Sequence, residues 1–308
     1  MEPIIPPVSR DILEEELSNH KILRSTNNGD NLIYVVTYHD APNVLKELGR
    51  LREISFREAG GGTGKSIDID DFDTNANPYK QLIVWSPKDR EIIGGYRYFL
   101  CDEAKFKSNG VPLLSTSNYF KFSQTFIDEY LPYTIELGRS FVQPKFQPSK
   151  DNRKGLFSLD NLWDGLGALV VDHPGKKYFF GKVTMYKDFN KRARDMILFF
   201  LHKFFPDKEG LVKPIDPIYI ENSPSEFEEL FNGSSFEENH KILFQEVRKC
   251  NENIPPLINS YMGLSPTMKT FGTVINEHFG GVEETAIMVT ISDIYESKKK
   301  RHIDTYRK

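Results

Sequence analysis

The chain has 308 residues, 39% hydrophobic and 13% aromatic, enough apolar content for a substantial core, which excludes disorder along its whole length. Forty basic residues against 44 acidic ones give a net charge of -4 and a pI near 6.0, so the basic excess of a dedicated nucleic-acid binder is absent. Two cysteines, Cys101 and Cys250, make neither a disulfide framework nor a zinc pattern and point to a reducing compartment. The first ten residues carry prolines and no basic residue ahead of the apolar stretch, unlike a secretory signal. Apolar runs such as Met196 to Leu201 fall far short of the roughly 20 residues of a spanning helix. A soluble, cytoplasmic protein is expected.

In chain order, Asn31 to His39 is β-branched and aromatic and reads as a strand. After Pro42, residues Val44, Leu45, Leu48, Leu51, Ile54 and Phe56 recur at helical spacing up to a stop at Gly60. An acidic stretch, Asp68 to Asp73, precedes a hairpin of Gln81 to Trp85 and Glu91 to Leu100. Thr134 to Val142 is a further strand. Gly155 to Asp172 reads as a helix, Lys177 to Tyr186 as a strand and Lys191 to Phe205 as a strongly apolar helix. Beyond Pro206 the chain is acidic and loop-like, with helical stretches at Ser225 to Phe231 and Glu237 to Lys249. Two strands, Thr270 to His278 and Glu284 to Ile291, meet at Gly280-Gly281, a hairpin signal. The order predicts an α/β (α+β) fold with an antiparallel meander followed by a β-α-β unit. One elaborated domain over 1–308 is expected: a core of about 31–205, a closing hairpin of about 270–292 and an insertion of about 206–256.

Three motifs suggest chemistry that their context opposes. Ala59 to Ser66 (AGGGTGKS) fits a permissive phosphate-loop pattern with Lys65 as the phosphate lysine, but a helix precedes it and an acidic run follows. The alternative is a glycine-rich helix exit or a flap. The acidic run lacks the glycine an EF-hand loop needs at its sixth position, so no metal is expected. His202 and Asp207 have acyltransferase spacing, yet they sit at a helix tail with Pro206 between them.

The strand Thr134 to Pro144 reads TIELGRSFVQP. In a regular ladder Glu136 and Arg139 would face opposite sides, but a bulge tolerated at Gly138 would bring both charges to one side and splay the strand from a neighbour, opening a cleft. Next comes a basic loop with Lys145, Lys150, Arg153 and Lys154. It ends at Gly155-Leu156, where a helix N-terminus offers unpaired N–H groups to a phosphate.

In this order, Arg52 with Phe56-Arg57-Glu58, Asp70 and Asp73, Gly94-Gly95-Tyr96-Arg97, Glu136-Leu137-Gly138-Arg139 and Leu162-Trp163 resemble the Gcn5-related N-acyltransferase (GNAT) superfamily. The likeness is greatest to its lipid-forming branch of ornithine-lipid and glycine-lipid N-acyltransferases, often labelled hemolysins, and more distant to acyl-homoserine-lactone synthases. It covers roughly Lys46 to Phe200. It implies a GNAT-like, mostly antiparallel sheet with flanking helices and a splayed strand pair as donor cleft. It further implies transfer of a (3-hydroxy) fatty acyl group from acyl carrier protein or acyl-CoA to an amino acid such as glycine or ornithine. The usual superfamily phosphate loop is reduced here to Arg153-Lys154-Gly155-Leu156, which favours acyl carrier protein over acetyl-coenzyme A as donor.

On this resemblance, backbone groups of Phe141, Val142 and Gln143 pair with the pantetheine arm, and Arg153, Lys154, Gly155 and Leu156 meet its phosphate. Glu136 is the general base, directly or through water, with Arg139 orienting it or binding a substrate carboxylate. Arg52, Phe56, Asp70, Asp73 and Arg97 shape the acceptor pocket. The aromatic stretch Tyr119 to Phe126 and the helix Met196 to Phe205 either line an acyl channel or are ordinary core. The basic tail, Lys298 to Arg301 with Arg307 and Lys308, either touches the inner face of the membrane or is a solvated terminus. The competing functions are a non-catalytic lipid or acyl-carrier binder and a nucleotide hydrolase at Lys65.

Overall fold

The computed structural model describes residues 1–147 and 153–308, with Arg153 and Lys154 as backbone alone. In chain order the elements are α1 (Arg10–Ser18), β1 (Arg24–Ser25), β2 (Leu32–Val36), α2 (Pro42–Glu58), α3 (Asp71–Thr74), β3 (Lys80–Ser86) and β4 (Glu91–Leu100). They continue with β5 (Phe120–Phe122), β6 (Thr134–Val142), α4 (Ser158–Asp172), β7 (Tyr178–Met185), α5 (Lys191–Phe204) and β8 (Val212–Pro214). The chain finishes with α6 (Pro224–Leu230), α7 (Phe236–Lys249), α8 (Pro256–Met262), β9 (Lys269–Asn276), β10 (Val282–Thr290) and α9 (Glu296–His302). Among the described residues, eight strands form one sheet in the order β1-β2-β3-β4-β6-β7-β10-β9, and β5 and β8 pair separately. Every neighbouring pair in the large sheet is antiparallel except β6 and β7.

Alternation along the strands fixes what each face carries. Ile83, Trp85, Ile92 and Phe141 bury against Val44, Leu45, Leu48, Leu51 and Phe56 of α2. Leu82, Val84, Tyr96, Tyr98, Ile135, Leu137 and Phe179 turn to the other face, against α4 and α5. The segment after Pro206 is not a separate layer, because Phe227, Phe231, Leu243 and Val247 share one apolar cluster with Phe199 and Phe200 of α5. The aromatics Phe120 and Phe126 join a third cluster with Tyr79, Phe99, Phe180 and Phe271. These aromatic stretches are core, with Tyr119 alone of the first one reaching the cavity described below.

The feature that positions the site is the parallel pair. β6 and β7 stay in register only from Thr134↔Tyr178 to Leu137↔Gly181. Beyond that point β6 keeps β4 as its neighbour and β7 keeps β10, so the sheet splits. A Cβ on Gly181 would lie 2.5 Å from the Leu137 carbonyl oxygen, so only glycine permits that last close pair. Past the split, Arg97 faces Gly138 and Gly95 faces Phe141, leaving Arg139 and Ser140 opposite the single residue Tyr96. This is a β-bulge. The expected irregularity is therefore real but sits one residue later than Gly138, on Arg139, which takes the left-handed φ of +49°.

Candidate active site

The bulge reverses the outward alternation of β6. Phe141 returns to the α2 face, and the guanidinium of Arg139 lies on that side too, 2.9 Å from Asp68 and 3.6 Å from Asp70. Glu136 and Arg139 thus share a face. Beneath them, Asp70 caps α3 and forms a reciprocal capping box with Asp73. Arg97 of β4 donates to Asp70 at 2.6 Å and to Asp73 at 3.2 Å, and Arg52 of α2 donates to Asp73 at 3.3 Å and also to Gln81. Burial alone would raise the Asp73 carboxyl, but Arg52 and Arg97 outweigh it and hold the group below the usual carboxylate range. For Arg97 burial acts to lower the pKa, and Asp73 and Asp70 reverse that, so it remains a cation. The guanidinium of Arg52, fully enclosed, is lowered by burial in spite of Asp73.

A cleft of about 590 Å³ opens over this network, lined by Phe56, Asp68, Asp70, Arg97 and Arg139 together with the β6 residues Leu137, Gly138 and Ser140. Arg52 and Asp73 are not part of its wall; they brace it from behind. Glu136 also stands behind the wall. Its carboxylate accepts hydrogen bonds from the Tyr79 hydroxyl, from Ser115 Oγ at 3.2 Å and from the Thr116 amide at 3.0 Å. Burial and the neighbouring Glu136 push the Tyr79 hydroxyl well up. Among these partners of Glu136, Ser115 is the one that lines the cleft.

On the donor side, the β6 edge that faces the cleft is Leu137 to Ser140, ahead of Phe141 to Gln143. Phe141 packs edge-on to Phe56, the Val142 carbonyl accepts from Gln147, and Gln143 is tied to Ile93 and Ile92 by its amide and its side chain. Gly155 is buried and Leu156 exposed, in a short turn leading into α4. Lys150 and the side chains of Arg153 and Lys154 lie outside the described residues. Lys145 pairs with Glu91 at 2.8 Å.

The cleft also collects residues that carried no motif. Lys182 of β7 pairs with Glu284 of β10 and stacks over Tyr119, whose hydroxyl donates to Asn276 at 2.6 Å. Phe279 lies under Arg139 at 4.5 Å. These groups come from segments scattered from Tyr119 to Glu284, so no local spacing reports them.

The competing motifs resolve by geometry. The glycine-rich loop already holds an anion: Glu53 of α2 accepts from the Thr63 amide at 3.0 Å, Thr63 Oγ1 at 2.7 Å, the Gly64 amide at 2.8 Å and Arg57 at 2.7 Å. The amides that would cradle a phosphate are spent, which removes the basis for a nucleotide site at Lys65. Asp207 accepts from the Glu209, Leu211 and Val212 amides as a turn cap, while His202 is exposed. Among the described residues no group of three or more His, Cys, Asp or Glu side chains is placed to hold a metal ion. No helix among them is long and apolar enough to cross a membrane.

The acetyltransferase (GNAT) domain family matches residues 51–153. A glycine N(alpha)-acyltransferase of Phocaeicola vulgatus is 57% identical over 308 residues, covering 100% of this chain and 94% of that protein. A second, from Bacteroides thetaiotaomicron, is 56% identical over 306 residues, covering 99% and 91%. Among solved structures, the CoA-dependent acyl-homoserine lactone synthase BjaI covers 89% of this chain and 88% of its own at 13% identity and a TM-score of 0.39. The synthase LasI covers 51% and 74% at 14% identity and a TM-score of 0.35. With near-complete coverage at this identity, the chain belongs to the same family as the two curated enzymes and is an N-acyltransferase built on a GNAT domain.

Proposed function

We propose that the enzyme transfers a long-chain, 3-hydroxylated fatty acyl group from the phosphopantetheine thioester of acyl carrier protein or coenzyme A to the amine of glycine, in aminolipid biosynthesis. The observation that carries this reading is the split of β6 from β7, which leaves the strand edge at Gly138 to Ser140 open beside a wall of Asp68, Asp70, Arg97 and Arg139. Glycine as acceptor is supported by the activity named for the two relatives.

The chemistry asks for a neutral amine, a fixed thioester and help for the oxyanion. The amine nitrogen bonds to the thioester carbon, the C–S bond breaks, and the nitrogen's second proton leaves with the thiolate. Amide groups on the free edge of β6 pair with the donor arm and one N–H meets the developing oxyanion. Arg139 takes the acceptor carboxylate, and Arg52 and Asp73 keep the wall rigid. Glu136 acts at one remove, by fixing Ser115 on the wall. The turn at Gly155-Leu156 that leads into α4 takes the donor phosphate, and the basic charge of Lys145, Arg153 and Lys154 suits the acidic surface of a carrier protein. The basic run of α9 offers a contact to anionic lipid.

The test is direct. Purified enzyme receives a 3-hydroxyacyl thioester of carrier protein or of coenzyme A, each with glycine, ornithine or serine, and products are identified by mass spectrometry. N-acylglycine is expected, and the faster thioester identifies the donor. Acylation of no amine from either donor overturns the reading.

A further inference from the structure

An ammonium acceptor must lose a proton before it attacks, and the group that takes it must reach the cleft. Glu136 is enclosed by three donors and does not line the cavity. Asp68 does line it, at 1% exposure, with one carboxylate oxygen unsatisfied. The Nε of Arg139 carries a single hydrogen, which goes to Asp68 Oδ1 at 3.1 Å. Oδ2 lies 2.9 Å from the same nitrogen but takes no hydrogen bond of its own. Oδ2 thus has the Arg139 cation beside it but receives no N–H of its own, and a ligand N–H completes its hydrogen bonding.

The backbone holds this oxygen in place from both sides. The Asp68 amide donates to the Gly49 carbonyl of α2 at 3.1 Å, and its carbonyl accepts from Arg52 at 3.5 Å. Ile67 and Ile69 close so tightly on Gly49 that a Cβ there would come within 2.8 Å of both side chains. The charged groups that face Asp68 are Arg139 of β6, Arg52 of α2, Arg97 of β4 and Asp73 of α3. Burial raises its carboxyl above the ordinary value against the pull of Arg139 and Arg52, which makes it a better proton acceptor than an exposed aspartate.

Resting on the acyl-transfer reading above, we infer that Asp68 Oδ2 is the proton acceptor for the amine substrate. The ammonium donates to Oδ2, its proton passes to the carboxylate, and the freed lone pair attacks the thioester carbon beside the open edge of β6. Arg139 Nε donates to Oδ1 and stays within 2.9 Å of Oδ2, so the carboxylate keeps one orientation through the transfer.

The test exploits acceptor basicity. Asp68→Asn keeps size and loses the base. With glycine at neutral pH, kcat is expected to fall about 100-fold or more. With aminooxyacetate, whose attacking nitrogen is already neutral, the variant is expected to stay within a few-fold of the unmutated enzyme. Asp68→Glu should recover part of the glycine activity. Equal loss with both acceptors overturns the proposal in favour of a purely structural Asp68–Arg139 pair, and no loss with either shows that another group takes the proton. An unmutated enzyme that acylates neither nitrogen overturns the functional reading, and this inference falls with it.

Discussion

Glu53 shows how a glycine-rich loop with the look of a phosphate cradle serves an internal carboxylate instead. Its side chain is fully buried, and Gly62, with φ of +91°, turns the chain so that successive amides point at it. Burial raises its pKa, but donors from Arg57, Thr63 and Gly64 outweigh that and lower the group overall. The sign of the linkage follows: a depressed carboxyl stabilises the fold above the unfolded value, about 4.3, and that contribution is lost as pH falls below it. Glu53→Gln should therefore lower stability at neutral pH by about 1–3 kcal/mol and flatten the acid limb of a denaturation series relative to the unmutated enzyme. Thr63 and Lys65 line the cleft, so the same variant should also raise KM for the acceptor. At the neighbouring network, Asp73→Ala strands Arg52 as a buried cation and leaves Arg97 with Asp70 alone, and should cost about 3–5 kcal/mol in urea unfolding.

Among the elements, glycines on either side of the split have opposite duties. A Cβ on Gly94 would sit 2.3 Å from the Phe141 carbonyl oxygen, and one on Gly181 2.5 Å from that of Leu137, whereas one on Gly138 would meet nothing within 4 Å. Gly94→Ala and Gly181→Ala should reduce both the melting temperature and activity. Gly138→Ala should leave the melting temperature within a few degrees and reduce kcat/KM for the donor, because its methyl group projects into the cleft. Thermal melts beside steady-state rates separate the two kinds. The strand that carries Gly138 was legible to the residue, since the alternation of Thr134, Ile135, Glu136 and Leu137 between two turn regions leaves little choice. The bulge was legible in kind but not in place, because glycine marks where a bulge is tolerated, while the pairing of Arg139 with Asp68 decides where it falls. α1 and α9 carry no clear periodic signal because charges dominate both: α1 buries only Leu13 and Leu17, against α2, and α9 buries only His302. Asp68 stands within the acidic run, yet nothing local distinguishes its oxygen that lacks an N–H donor from the carboxylates of Asp70 and Asp73 that have theirs. The partners of Glu136 had no signal, for Tyr79 and Ser115 converge on it only through the fold.

At the scale of the molecule, the last helix is tied to the first layers. A Cβ on Gly167 would lie 2.1 Å from the His302 carbonyl oxygen, so α9 lies directly on α4. His302 Nδ1 meets Asp164 at 2.7 Å, and Asn27 donates to the same carboxylate at 2.7 and 2.8 Å. Truncation before Glu296 removes one of these partners and uncovers the other side of Asp164. It should lower the melting temperature by several degrees, read by calorimetry, without changing the acceptor KM. Because the segment after Pro206 shares its apolar cluster with α5, fluorescence and far-ultraviolet dichroism should report one coincident unfolding transition. The split between β6 and β7 has a different kind of consequence. Its two arms are anchored by their other neighbours, β4 and β10, so the gap persists without anything to wedge it, and a ligand that enters spends no free energy prying strands apart. Amides of Gly138 to Ser140 facing that gap should exchange with deuterium quickly for residues in the middle of a sheet, and slow when a thioester donor zips along them, a footprint that traces the donor's path strand by strand.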